Sequence, residues 1–129
     1  MARTLEELPV YAKAVEFDGA VSAILVRPGI RKDWNLRRQI AEASGSVVAN
    51  IEEGFQQGTD KAFARYLTIS KGSVAEVVGH LRRACRRGHI SQIDIAPIAD
   101  MADALGKMLG GFIKYLHQCD WKDRGHHSS

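Results

Sequence analysis

Three observations predict an all-α protein folded as an antiparallel, up-down-up-down four-helix bundle. Apolar residues recur at three- and four-residue steps through four long stretches. No stretch alternates with period two for long enough to make a strand. The glycines and prolines that separate the stretches leave only short connections, and short connections between long helices favour antiparallel neighbours.

The first element is expected over residues 4–26, with Leu8, Tyr11, Ala14, Val15, Val21 and Leu25 on a helical repeat. Pro9 falls in its opening turns, so the regular helix can begin there, where a missing N–H costs nothing. It ends before "RPGI", because the residue preceding a proline is pushed away from helical angles. The second begins near Asp33 or Asn35, either of which can cap it, and runs to about Phe55 on the stripe Leu36, Ile40, Ala43, Val47, Ile51, Phe55. "GFQQGTD" then supplies glycine stops and a Thr59 or Asp60 cap. The third covers residues 60–87, with Phe63, Leu67, Ser70, Val74, Val77, Leu81 and Ala84 on one face, and Gly88 ends it. Ser91 caps the fourth, which reaches about Gln118 through Ile95, Ile98, Leu105, Leu109, Phe112 and Leu116, with Pro97 in its first turn. One domain over residues 1–119 and a polar, disordered tail over 120–129 follow from this division.

Composition narrows the class. At 129 residues the chain can bury a core without staples, and 45% hydrophobic with 26% charged residues is ordinary for a soluble globular domain. Cys85 and Cys119 fit no metal or disulfide spacing, which suits a reducing cytoplasm. Glu6, Glu7, Glu16 and Asp18 interrupt the first twenty residues, which is not a signal-peptide pattern, and no apolar run reaches the roughly 18 residues that span a membrane. Small residues thin the middle helices at Gly45, Ala49, Gly72, Ala75 and Gly79. They allow either close helix packing or contact with another subunit. Apolar residues beyond one stripe per helix, Val48, Ile69, Val78, Met108 and Ile113, point to an oligomer.

The central block "LRRQIAEASGSVVANIEEGFQQGTDKAFARYLTISKGSVAEVVGHL" resembles the four-helix bundle family encoded in intervening sequences of bacterial 23S ribosomal RNA genes. Arg37, Arg38, Asn50, Ile51, Glu53, Gly54, Phe55, Thr59, Phe63, Tyr66, Leu67, Gly72, Ser73 and Glu76 carry the likeness. Glu52 stands where the family commonly has alanine, and Gln56 and Gln57 stand where a basic residue is frequent. The resemblance implies a cytoplasmic bundle that assembles into a ring, typically a homopentamer, with no enzymatic activity to carry over. The same architecture serves the basic accessory protein of diversity-generating retroelements, which works with RNA and a reverse transcriptase.

The residues that could carry chemistry are few. Glu52 and Glu53 point about 100° apart on a helix, so they are not an acid/base pair. Asn50, Glu53 and Gly54, with Gly72, Ser73 and Glu76 opposite, read as a structural motif at a helix–helix junction, with Ser70, Ser73 and Glu76 as candidate partners. Glu76 and His80, at i and i+4, read as an intrahelical pair rather than a metal site, Cys85 as a half-buried inert thiol, and His126 and His127 as part of the tail. No catalytic residue, metal ligand or cofactor is expected.

Charge is the informative feature. Arg27, Arg31, Lys32, Arg37 and Arg38 crowd one segment against Asp33 alone, and Arg82, Arg83, Arg86 and Arg87 crowd another with no acid. The remainder is net acidic, although the chain carries +3 overall. In an up-down bundle the start of the second helix and the end of the third share one end. Arg31, Lys32, Arg37, Arg38, Arg82, Arg83, Arg86 and Arg87 are therefore expected to form one pole that binds nucleic-acid backbone, RNA or DNA, without sequence preference, since "RRACRR" interleaves no aromatic. Two rival expectations stand beside it: ordinary solvated or salt-bridged faces, with Arg82 to Arg87 favoured by the dipole at a helix C-terminus and Arg37 and Arg38 paired with glutamates inside the assembly, and a protein-interaction scaffold whose basic pole docks an acidic partner protein.

Overall fold

A computed structural model of the chain describes residues 4–123 and Gly125. After a 3-10 turn over Leu5–Glu7 come α1 (Pro9–Leu25), a one-turn helix α2 (Pro28–Arg31), α3 (Trp34–Gln56), α4 (Asp60–Arg86) and α5 (Gln92–Asp123). No strand occurs among the described residues. None of the described helices is long and apolar enough to cross a membrane.

Local chemistry sets the boundaries. Pro9 and Pro28 each open a helix, where their fixed φ fits and no donor is lost. Asp33 caps α3 by accepting from the Leu36 N–H at 3.4 Å, and Thr59 caps α4 by accepting from Ala62 N–H at 3.2 Å. Ser91 and Asp94 satisfy each other's backbone N–H at the start of α5, at 2.9 and 3.2 Å, a capping box with aspartate at the third position. Gly88, at φ +77, closes α4 in a Schellman turn: its N–H donates to the Cys85 carbonyl and His89 N–H to Ala84, both at 3.0 Å.

Two boundaries differ from expectation. The "RPGI" connection winds into α2 because Pro28 can start a turn as well as stop one. α5 runs to Asp123, so residues 120–123 are helical where a disordered tail was expected; 124 and 126–129, His126 and His127 among them, lie outside the described residues. Because α5 starts at Gln92, Pro97 falls past its first turn, where it leaves the Ile93 carbonyl without its helical donor and does not end the helix.

The contacts between helices run in opposite chain directions. α3 meets α4 through Asp33–Arg87, Ser46–Ser73 and Val47–Ser70. α1 meets α3 through Leu25–Arg37, Asp18–Ser44 and Tyr11–Glu52. Phe63 on α4 packs edge-on against Phe112 of α5 at 5.2 Å, and Arg27, just beyond α1, reaches Asp94 of α5 at 2.6 Å. The four long helices thus close a ring in the order α1, α3, α4, α5, each antiparallel to its neighbours. One continuous core fills it, with Phe17, Leu36, Ile40, Ile51, Leu67, Leu81, Leu105, Leu109 and Leu116 fully buried. Each such side chain contributes about 1.5–3 kcal/mol.

Buried polar groups are satisfied: Ser70 donates to the Val47 carbonyl at 2.8 Å and Ser44 to Asp18 at 2.7 Å. Val48, Val78, Met108 and Ile113 rest partly buried on the core, so of the surplus apolar residues only Ile69 stands exposed, and the surplus is a weaker pointer to an oligomer than expected.

Gly54 is the tightest packed glycine between α3 and α4. A Cβ there would lie 2.8 Å from Phe63 Cδ1 and 2.9 Å from Tyr66 Cβ. Gly54→Ala forces those side chains or the helix to shift and is expected to cost about 1–3 kcal/mol, seen as a lowered midpoint in chemical denaturation. Gly72→Ala, with nothing within 4 Å of the added carbon, serves as its opposite: it removes a flexible residue from a helix interior and is expected to leave the midpoint unchanged or raise it.

Candidate nucleic-acid interface

Five chain segments converge on one end of the bundle: the ends of α1 and α4, the starts of α3 and α5, and α2 between them. The antiparallel register brings the two arginine clusters together there. Asp33, at the start of α3, accepts from Arg87 at 2.7 Å and meets the His89 ring Nε2 at 2.9 Å, although these partners are 54 and 56 positions away. The Schellman turn at Gly88 aims His89 at this carboxylate. Gly29 of α2 lies so close to the His89 carbonyl that a Cβ would overlap it, which draws the connection onto the same end.

The pole keeps a cationic surplus. Arg31, Lys32, Arg82 and Arg86 are exposed, Arg83 is half-buried, and none of the five makes an ion pair with a described residue. Three expected phosphate-binding side chains are engaged within the fold. Arg87 holds Asp33, Arg38 pairs with Glu42 at 3.4 Å, and Arg37 Nε donates to the Leu25 carbonyl at 3.1 Å, closing the end of α1. All three remain exposed, so their guanidinium groups still contribute charge to the surface. Arg27, counted in the first cluster but not among the expected binding residues, engages Asp94 at 2.6 Å. Sequence reasoning missed Trp34, the first residue of α3, which follows Arg31 and Lys32 and is 73% exposed.

Electrostatics bear on both acids of the pole. The hydrogen bonds from His89 and Arg87 hold the Asp33 carboxyl well below its ordinary range, down to about 2. The Ser91 backbone N–H, then Arg27, lower Asp94. At the other end Glu6, Glu7, Glu52, Glu53, Asp60, Asp120 and Asp123 gather. Burial, then the proximity of Asp123 and Asp120, raises the Asp60 carboxyl. A cleft of about 800 Å³ opens at that end, lined by Leu8, Phe55, Phe63, Met108, Phe112 and Tyr115 among others.

The residues expected at a helix–helix junction fare unequally. Asn50 donates to the Ser46 carbonyl and hydroxyl at 2.8 and 2.9 Å, and Ser46 meets Ser73 of α4 at 2.9 Å, so Asn50 reaches the facing helix through Ser46. Gly54 makes the close approach already described. Glu53 is exposed and accepts from Gln57 of its own helix at 2.9 Å; it does not reach α4, because its helical phase lies away from the Val47–Ile51–Gly54 seam. Glu76 is exposed and lies 3.8 Å from His80. Gly72 packs against nothing within 4 Å, and neither do Gly45 and Gly79, so close helix packing does not account for them. No group of three metal-ligating side chains occurs among the described residues. Burial raises the half-buried Cys85 thiol, with Asp94 adding to the effect, which disfavours a reactive thiolate.

The Asp33 clamp gives a pH signature. A carboxyl lowered by folding lends stability that is complete above its unfolded value, near 3.8, and is lost as pH falls toward about 2. Asp33→Asn is expected to lower the thermal midpoint at pH 5, and the gap from wild type is expected to close as pH drops through that window. A gap that persists unchanged at pH 2 would show that the clamp is not ionic.

The model of the family described as 23S rRNA-intervening sequence protein matches residues 6–111. No curated protein matches the chain. Among solved structures, a protein of unknown function from the S23 ribosomal protein family of Bacteroides thetaiotaomicron is similar at 25% identity and a TM-score of 0.73, covering 81% of this chain and 98% of its own. The match to the family model takes in α1 through α4 and most of α5, basic pole included, and the chain belongs to the 23S rRNA-intervening sequence protein family.

Proposed function

We propose that this protein is a non-enzymatic, ring-forming bundle that binds nucleic-acid backbone, RNA in the first place, through its arginine-rich pole. The observation that carries the reading is the convergence of Arg31, Lys32, Arg82, Arg83 and Arg86 on one end with no carboxylate partner among the described residues. Guanidinium groups match phosphate oxygens bidentately, and counterion release makes such binding strong and salt-dependent. The acids that could quench the pole, Asp33 and Asp94, are each committed to one arginine and to a helix cap. Ring assembly, as a homopentamer, agrees with the exposed small-residue face of Gly45, Ala49, Gly72, Ala75 and Gly79 along α3 and α4, for which the bundle itself has no packing use. The half-buried free thiols Cys85 and Cys119 suit a reducing cytoplasm.

A mobility-shift titration with mixed RNA at two salt concentrations tests the reading. Affinity is expected to fall steeply with salt, and Arg82→Gln with Arg86→Gln to weaken binding uniformly across sequences and flatten the salt slope by about one unit per lost phosphate contact. Lys61→Gln with Lys114→Gln, at the acidic end, is expected to change nothing. Absence of binding at low salt, or association in cell extract that resists nuclease and follows one acidic protein, defeats the reading in favour of a scaffold.

A further inference from the structure

We infer that Trp34 is a base-stacking platform and that the basic pole therefore prefers unpaired nucleotides over duplex. This rests on the nucleic-acid reading above and names the form of nucleic acid the pole takes. A tryptophan side chain is usually well buried, yet the Trp34 indole is 73% exposed, among the most exposed large apolar side chains of the molecule. It is also not on a loose segment. It opens α3 directly after Asp33, whose carboxylate is tied to the Leu36 N–H, to Arg87 and to His89, so the backbone that carries the indole is anchored from two helices and a turn.

Its neighbours are cations. Arg31 and Lys32 precede it, and Arg37 and Arg38, three and four residues on, lie on the same side of α3. Arg37 Nε bonds across to the Leu25 carbonyl at the end of α1, and Arg38 pairs with Glu42 one turn further along α3, so both stems are fixed. An exposed aromatic on an anchored backbone beside a cationic track is the arrangement that single strands require: phosphates follow the charges while one base stacks on the ring. A duplex keeps its base faces covered and offers only phosphates, so it gains nothing from the indole. The arginine cluster at the end of α4 lacks an aromatic of its own, and the fold supplies one from α3.

Two other exposed apolar side chains mark this end, Ile93 at 85% and Val26 at 61%. A second copy of the chain placed pole to pole would cover them, but it would press two unneutralised arginine clusters together. Like-charge repulsion disfavours that contact, whereas a polyanion relieves it.

The chain's two tryptophans allow a direct test. Trp121→Phe leaves Trp34 as the sole indole emitter, and this variant is titrated with an unstructured oligouridylate and with a blunt RNA duplex of equal length. The single strand is expected to quench the emission and to bind more tightly than the duplex. Trp34→Ala is expected to weaken single-strand binding roughly 5- to 100-fold while leaving duplex binding and the salt slope unchanged, and Trp34→Phe to retain most of the affinity. If Trp121→Phe does not fold, the emission lost between wild type and Trp34→Phe gives the same readout. Salt-dependent binding with no quenching and an indifferent Trp34→Ala overturns this inference while the backbone-binding function stands. Emission that shifts with protein concentration alone overturns it in favour of a protein partner on the indole. No binding of either RNA removes both readings.

Discussion

When α4 returns along α3, residues 54 positions apart in the chain arrive at one carboxylate, and most of what distinguishes this bundle follows from that return. The turn is short because Gly58, at φ +80, takes a left-handed conformation that side chains resist, and it is tight because Gly54 lets Phe63 and Tyr66 approach the α3 backbone. The same register that seats Ser70 on the Val47 carbonyl and Ser73 on Ser46 delivers Arg87 and His89 to Asp33. Core packing and the composition of the pole are thus one geometric fact seen at two places.

Crowding arginines at one end opposes folding through mutual repulsion, and two acids moderate it with unusual economy. Asp33 caps α3 and Asp94 caps α5, and each also receives a guanidinium, Arg87 in one case and Arg27 in the other. The positive ends of the α3 and α5 dipoles sit at this pole together with the negative ends of α1 and α4, so the backbone contributions largely offset one another. The net field at the pole therefore comes from side chains. Exposure to solvent keeps its energetic cost modest, because water and salt screen charges on long flexible stems.

The parts of this design that depend on neighbours in sequence were legible. Four amphipathic periods, the Asp33, Thr59 and Ser91 caps, and the glycine stops at Gly58 and Gly88 locate the helices to within a few residues, because capping and left-handed termini are local chemistry. The convergence of the clusters was legible too, since it needs only antiparallel order. Which arginines are spoken for was not: the Asp33–Arg87, Asp33–His89 and Arg27–Asp94 contacts join distant positions, and a count of charges along the chain carries no such pairing. Glu53 was assigned to the helix junction although its phase turns it to solvent, and Gly72 was grouped with Gly54 although only Gly54 is pressed by a neighbour. Trp34 escaped notice because an apolar residue beside a helical stripe reads as core until its exposure is seen.

On the proposed reading, the two ends of the bundle and its long side would serve different purposes. The exposed small residues Gly45, Ala49, Gly72, Ala75 and Gly79 run along α3 and α4, and on α4 the same face continues into Arg82 and Arg86. Side-by-side association through that face, as the proposed ring requires, would turn the basic poles the same way when subunits are related by rotation about an axis parallel to the helices, with Arg82 and Arg86 at the edge of the contact. In the proposed ring a field that is modest for one subunit would repeat, and a polyanion long enough to touch several poles would bind with an effective concentration set by the ring's own geometry. The opposite end, where seven acids stand beside Lys61, Arg65, Lys114 and Lys122, would offer the same ligand less attraction. Charge segregation in the single chain would thereby become a two-sided assembly, one face attractive to polyanions and the other less so.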